Sequence, residues 1–128
     1  TCGDRFESIR PHLERKAGDL SGGQQKLVEI ARGLVSEPGV LLLDEPTAGL
    51  SPVMVREVYR ELTRLKQRRS VTVLLVEQNV REALEVAYDV YVLAMGQNDT
   101  DGTAADITDR LETIVGNWMN REGSGVVA

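Results

Sequence analysis

Two short stretches carry residues whose types and order are suited to chemistry. Leu20 to Gln25 reads Leu-Ser-Gly-Gly-Gln-Gln, and Leu41 to Thr47 reads Leu-Leu-Leu-Asp-Glu-Pro-Thr. Gly22 and Gly23 let the backbone approach a ligand with no Cβ in the way, and Ser21 adds a hydroxyl donor. If this turn opens a helix, its first amides and the positive end of the helix dipole face phosphate oxygens readily. The dipole contributes about 0.3–1 kcal/mol toward an anion at such a terminus. Alone, a Ser-Gly-Gly turn is no more than a capped helix with a flexible entry. Asp44 and Glu45 stand side by side at the end of an apolar run. Adjacent carboxylates repel and are costly to desolvate unless a cation or hydrogen bonds compensate. Magnesium with water suits them, Asp44 holding the metal directly or through water and Glu45 polarising an attacking water as general base. Alone, this pair reads as an acidic strand exit into a Glu-Pro turn. The two stretches in this order favour the chemical reading.

The surrounding pattern says what positions them. Ser21 is placed as the N-cap of a helix over residues 22–36, with Leu27, Ile30, Ala31 and Leu34 on one stripe. Glu37-Pro38-Gly39 ends that helix, and Val40 to Leu43 is the continuous apolar run of a strand buried on both faces. Ser51-Pro52 opens the next helix, with Val55, Val58, Leu62 and Leu65 facing inward through about Arg69. Val71 to Val76 is a second strand, Val80 to Ala87 a short helix and Tyr88 to Leu93 a third strand. Met95 to Gly102 is polar and turn-rich. Thr103 with Asp106 caps a last helix bearing Ile107, Leu111, Ile114, Val115 and Trp118. Phe6 to Lys16 is a charged helical stretch interrupted by Pro11, and the Gly-rich tail from Arg121 is expected to fray. Strands alternating with helices imply an α/β fold with a parallel sheet flanked by helices.

Composition narrows the classes. Hydrophobic content of 41% and charged content of 27% in 128 residues fit a globular domain or part of one. The net charge of −5 argues against nucleic acid as a partner. Residues 1–69 hold 12 basic and 10 acidic side chains, and residues 70–128 hold 3 and 10, so the second half is the acidic one. That excess reads as solvated surface. Cys2 is the only cysteine, which rules out an intrachain disulfide and makes a reducing compartment the default. No apolar run approaches the roughly 20 residues of a membrane span, and no signal peptide is visible, so a membrane role would run through a partner subunit.

In this order and separation the two stretches resemble the C-terminal half of an ATP-binding-cassette (ABC) ATPase, over about Phe6 to Trp118. The resemblance implies a P-loop NTPase-like sheet of the ABC type, with ATP and magnesium as cofactors. By resemblance, Ser21, Gly22, Gly23 and Gln24 belong to the signature motif, which contacts the γ-phosphate of ATP held by the opposite subunit. Leu41 to Glu45 resembles Walker B, with Asp44 at the metal and Glu45 as catalytic glutamate. Ala48-Gly49-Leu50-Ser51 falls at the D-loop, which communicates between the two sites of a dimer. Gln78, in Val76-Glu77-Gln78-Asn79, occupies the catalytic position where most members carry a switch histidine. Glutamine can donate and accept near a γ-phosphate but cannot become cationic at neutral pH. Val-Glu-Gln-Asn and Ala-Gly-Leu-Ser-Pro are similar to one ATPase subunit of branched-chain amino-acid importers. His12 lies too early to be the switch residue and reads as a surface or subdomain side chain, as do Lys26 and Arg32. The implied domains are the end of a helical subdomain at 1–36, the C-terminal part of a RecA-like core at 37–120, and a flexible tail at 121–128. The implied partners are a second ATPase subunit (identical or not), membrane permease subunits and, indirectly, a substrate-binding protein. The implied location is the cytoplasmic face of the membrane, held there peripherally.

No Gly-x-x-x-x-Gly-Lys-[Ser/Thr] occurs in these residues. That loop supplies the amides and lysine that grip the β- and γ-phosphates. The chain therefore reads as lacking the N-terminal phosphate-loop half, and by itself is expected not to hydrolyse ATP. In the family's sheet the strand feeding that loop lies between the strand ending at Glu77 and the one at Tyr88 to Leu93. Without it, two strand edges are expected to lose their partners and the fragment to be marginally stable. A competing reading is a non-catalytic split or remnant module that dimerises with a complete ABC ATPase. Another is the C-terminal head of a chromosome-maintenance or DNA-repair ATPase, disfavoured by the acidic balance and the absence of heptads in Thr1 to Asp19.

Overall fold

Proline and glycine punctuation divides the chain into short helices and strands. A computed structural model of the protein describes residues 7–68, 71–119 and 124–127. It separates into two units, Thr1–Val73 and Leu74–Ala128.

In the first unit the charged opening stretch is a 3₁₀ helix, Glu7–His12, with Pro11 inside it. A 3₁₀ turn over Ala17–Asp19 follows. Helix α1 (Gly22–Gly33) starts at Ser21 as expected and ends three residues earlier than the spacing suggests. Leu27, Ile30, Ala31 and Leu34 are all buried, so the apolar stripe is the core-facing side. Strand β1 (Val40–Asp44) leads through residues 45–51 to helix α2 (Pro52–Arg68). On α2, Val58, Leu62 and Leu65 are buried as the spacing implies, together with Tyr59 and Glu61. Glu61 Oε1 accepts from Arg64 at 2.7 Å, which offsets part of the cost of burying its carboxylate. Thr72 donates its amide to the Gly39 carbonyl at 3.0 Å, so the first residues of strand β2 (Thr72–Glu77) start beside the approach to β1. An α-helical crossover such as α2 is the connection that parallel strands require.

One expectation for β1 fails. Only Leu41 is buried, whereas Val40 is 58% and Leu42 70% exposed, so this strand covers one face rather than two.

The second unit packs three helices onto a small sheet. Helix α3 (Val80–Val86) is followed by strand β3 (Asp89–Ala94), strand β4 (Gln97–Thr103), helix α4 (Ala104–Asp109), helix α5 (Leu111–Met119) and strand β5 (Ser124–Val127). Val90 and Val92 face Leu84, Ile107 and Ile114 in one core, with Val80, Ala87, Ala104 and Leu111 packed around it. The opposite side chains of β3, Tyr91 and Leu93, are exposed, as is Leu74 of β2.

Here the sheet departs from the parallel expectation. Most of Met95 to Gly102, read as a turn-rich connection, belongs to strand Gln97–Thr103, antiparallel to β3 and reached through a tight turn at Met95 and Gly96, both with positive φ. Polar residues fit because β4 is an edge strand whose side chains are largely solvated. The single last helix is two, α4 and α5, divided at Arg110. Thr103 caps α4 by accepting from the Asp106 amide at 3.2 Å, as the sequence pattern anticipates.

The tail expected to fray also differs. Ser124–Val127 forms β5 between β2 and β3, antiparallel to both, matching Val126 with Glu77 and with Val92. The two edges expected to lack partners are thus bridged by the chain's own C-terminal residues. Pairing satisfies backbone groups that would otherwise be left open at an edge. Cys2, Phe6 and the side chain of Trp118 lie outside the described residues.

Candidate functional site

Ser21 and Gln24 lock the entry of α1 reciprocally. The Ser21 hydroxyl oxygen accepts from the Gln24 amide at 3.3 Å, and the Gln24 side-chain oxygen accepts from the Ser21 amide at 3.0 Å. This capping box satisfies two donors at the terminus and leaves the amides of Gly22 and Gly23 without intrahelical acceptors. The two glycines are not equivalent. A Cβ on Gly22 would meet nothing within 4 Å, so that position is open to an approaching group. A Cβ on Gly23 would collide with Met54 at the start of α2. Gly23 is therefore required by packing, and the turn is held against α2 through that contact.

Gln24 reaches further. Its side-chain nitrogen lies 3.0 Å from Nε2 of His12, which links the turn to the 3₁₀ helix. Gln25 donates to the carbonyls of Ala17 and Leu20, tying down the preceding segment. Sequence reasoning missed His12 as a neighbour of the turn, since twelve residues separate them and no periodicity connects the two elements.

At the end of β1, Asp44 is exposed and Glu45 half-buried. Glu45 has φ 43°, a left-handed conformation unusual for a side chain bearing Cβ. Such conformations cost on the order of 1 kcal/mol or more and recur where a side chain must be aimed. Two successive turns follow it, Ala48 donating to the Glu45 carbonyl at 3.1 Å and Leu50 to that of Thr47 at 3.2 Å. Pro46 and Thr47 are buried, so the turn is anchored immediately after the carboxylates. Gly49, at φ 72°, completes the reversal into Ser51, whose hydroxyl caps α2 by accepting from Met54 at 3.4 Å.

Ser21, Gly22, Gly23, Gln24, Asp44 and Glu45 thus all belong to the first unit. Gln78 belongs to the second, exposed just beyond β2. Its amide donates to Glu77 Oε2 at 3.2 Å, and the Glu77 side chain is buried. That contact gives Glu77, a residue without a derivable role in the sequence, the task of shaping the turn that presents Gln78.

Among the described residues no group of three or more His, Cys, Asp or Glu is arranged to hold a metal. Asp44 and Glu45 still suit a magnesium ion that arrives with phosphates and water, because that ion needs only one or two protein carboxylates. An open Gly22 with unspent helix-terminal amides suits a phosphate in the same way. No helix among the described residues is long and apolar enough to cross a membrane.

Comparison with known proteins shows the family. Residues 5–48, from the opening segment through the carboxylate pair, match the family model for the ABC transporter. A probable branched-chain amino acid transport ATP-binding protein, LivF of Archaeoglobus fulgidus, is 41% identical over 106 residues, 83% of this chain and 45% of its own length. The high-affinity branched-chain amino acid transport ATP-binding protein BraG of Pseudomonas aeruginosa is 42% identical over 92 residues, 72% of this chain and 39% of its own. The ADP conformation of MJ1267, an ATP-binding cassette of an ABC transporter, superimposes with a TM-score of 0.80 at 30% identity, covering 92% of this chain and 47% of that one. The chain belongs to the ATP-binding-cassette family. Within it, the chain is related to the ATPases of branched-chain amino-acid importers. It spans less than half the length of these relatives.

Proposed function

We propose that this chain is part of the ATP-binding and ATP-hydrolysing subunit of an ABC importer, energising uptake of branched-chain amino acids. The observation that carries the reading is the pairing, in one unit, of a capped turn with an open Gly22 and a strand ending in Asp44 and Glu45. The substrate rests on the names of its relatives.

In this reading the Ser21 hydroxyl and the amides of Gly22 and Gly23 donate to the γ-phosphate of ATP held by the opposite subunit, and Gln24 keeps the turn in shape. Asp44 holds magnesium, directly or through water. Bound magnesium neutralises developing charge on the phosphate oxygens. Glu45, aimed by its left-handed backbone, accepts hydrogen from the attacking water and orients it. Gln78 donates to or accepts from groups around the γ-phosphate without adding charge. The partners are a second ATPase subunit, identical or not, and membrane permease subunits that receive the closing motion; a substrate-binding protein acts indirectly. The location that follows is the cytoplasmic face of the membrane.

The test is ATP turnover by the chain joined to the phosphate-loop half of the Archaeoglobus fulgidus relative. Glu45→Gln is expected to lower turnover by about 10²-fold or more, the usual worth of a positioned general base, while ATP binding persists. Equal turnover by both would refute the role given to Glu45.

A further inference from the structure

His12 stands outside both motifs, yet its ring nitrogen ends a hydrogen-bond chain that begins at Ser21. The direction of that chain follows from its backbone member. The Ser21 amide can only donate, so the Gln24 side chain must present its oxygen there, at 3.0 Å. The Gln24 NH₂ group is then turned toward His12 Nε2, also at 3.0 Å. An amide NH₂ has no lone pair to offer, so the ring nitrogen facing it accepts. The proton of the neutral ring therefore sits on Nδ1, which is buried and has no hydrogen-bond partner among the described residues.

We propose that His12 is a positioning residue for the signature turn. By accepting from the Gln24 NH₂ group it holds that side chain with its oxygen on the Ser21 backbone N–H, and so fixes the N-cap backbone of the turn. With one lone pair of the Ser21 oxygen engaged by the Gln24 amide, its hydrogen is free to point ahead of the first turn of α1. Loss of the acceptor at position 12 lets the Gln24 side chain rotate, and the Ser21 backbone N–H loses its partner, loosening the turn that carries the Ser21 hydroxyl. This rests on the reading of Ser21 to Gln24 as nucleotide-facing. It adds a control point in the 3₁₀ helix, an element carrying none of the motif residues.

Two measurements test it. In the full chain, amide exchange at Ser21 followed by NMR is expected to quicken about fivefold in His12→Ala and in His12→Lys, roughly the factor for one hydrogen bond of ordinary net worth. His12→Gln, which offers an amide oxygen, is expected to restore the parent rate within about twofold. For turnover, the chain is mixed with the complete Archaeoglobus fulgidus relative whose own signature serine has been replaced, so that hydrolysis depends on this chain's turn. Both disruptive variants are expected to lower kcat about fivefold with KM for ATP unchanged, and His12→Gln to recover it. Ser21→Ala serves as the reference in the same assay. If Ser21→Ala lowers turnover and the His12 variants do not, the positioning role is overturned. If Ser21→Ala is itself without effect, the nucleotide-facing reading fails, and the exchange measurement alone decides: an unchanged Ser21 rate in His12→Ala overturns the proposal. Loss in all three His12 variants, His12→Gln included, also overturns it, since packing rather than an acceptor would then be what matters.

Discussion

Replacing Gly23 by alanine separates two reasons for glycine at that position. A Cβ there would lie 2.7 Å from both Cβ and Cε of Met54, well inside the roughly 3.5–4.0 Å of a favourable carbon contact. The Met54 Cε can swing away, but its Cβ is fixed to the first turn of α2, so a new rotamer relieves only part of the overlap. Overpacking of this kind costs about 1–3 kcal/mol, and alanine in place of glycine in a helix returns about 0.5–1 kcal/mol. The expected balance is a loss centred on about 1 kcal/mol, read from urea unfolding of the chain by circular dichroism. Met54→Ala removes the outer atoms of the clash and leaves Cβ, so the cost of Gly23→Ala is expected to fall by about half in that background, a coupling a double-mutant cycle resolves. Gly22→Ala, with nothing within 4 Å of its new Cβ, is expected to stay within about 0.5 kcal/mol of the parent. The reasoning is refuted if Gly23→Ala is as stable as the parent, if its cost is the same with and without Met54, or if Gly22→Ala costs as much.

Ser21→Ala removes one half of the capping box and is expected to destabilise the chain by about 1 kcal/mol, measured by thermal unfolding; no loss would mean the cap is not formed in solution. Val126→Pro withdraws an amide from the centre of β5 and forces its φ. Amides of β3 that face β5 are then expected to exchange at least about tenfold faster, equivalent to ~1.4 kcal/mol, while those facing β4 keep their protection. Uniform protection in both forms would mean that Ser124–Val127 does not pair between β2 and β3.

Much of the site could be read directly from residue order. Ser21 and Gln24 are a capping signature, and a cap acts over three residues, so spacing alone locates it. The α1 stripe, the Ser51-Pro52 start of α2 and the Thr103–Asp106 cap are local in the same way. The family resemblance rests on Leu20 to Gln25 and Leu41 to Thr47, both short stretches that lie within the residues matched by the family model. What the sequence left open is non-local. Val40 to Leu43 is apolar throughout, and composition cannot tell a strand covered on both faces from one whose Val40 and Leu42 remain exposed. Residues 97–103 look like a loop because an edge strand tolerates polar side chains on a solvated face, and only pairing with β3 makes them a strand. The Gly-rich tail becomes β5 for the same reason: backbone hydrogen bonding to two waiting edges outweighs weak intrinsic propensity. Gly23 fitted against Met54 and His12 at the side chain of Gln24 depend on contacts between elements apart in sequence, and the left-handed backbone of Glu45 goes with the two turns that follow it. Sequence by itself determined which residues can bind and polarise, because that is a property of side-chain chemistry at short spacing. The tertiary structure decided which way they point, because direction is set by whatever packs and hydrogen-bonds behind them.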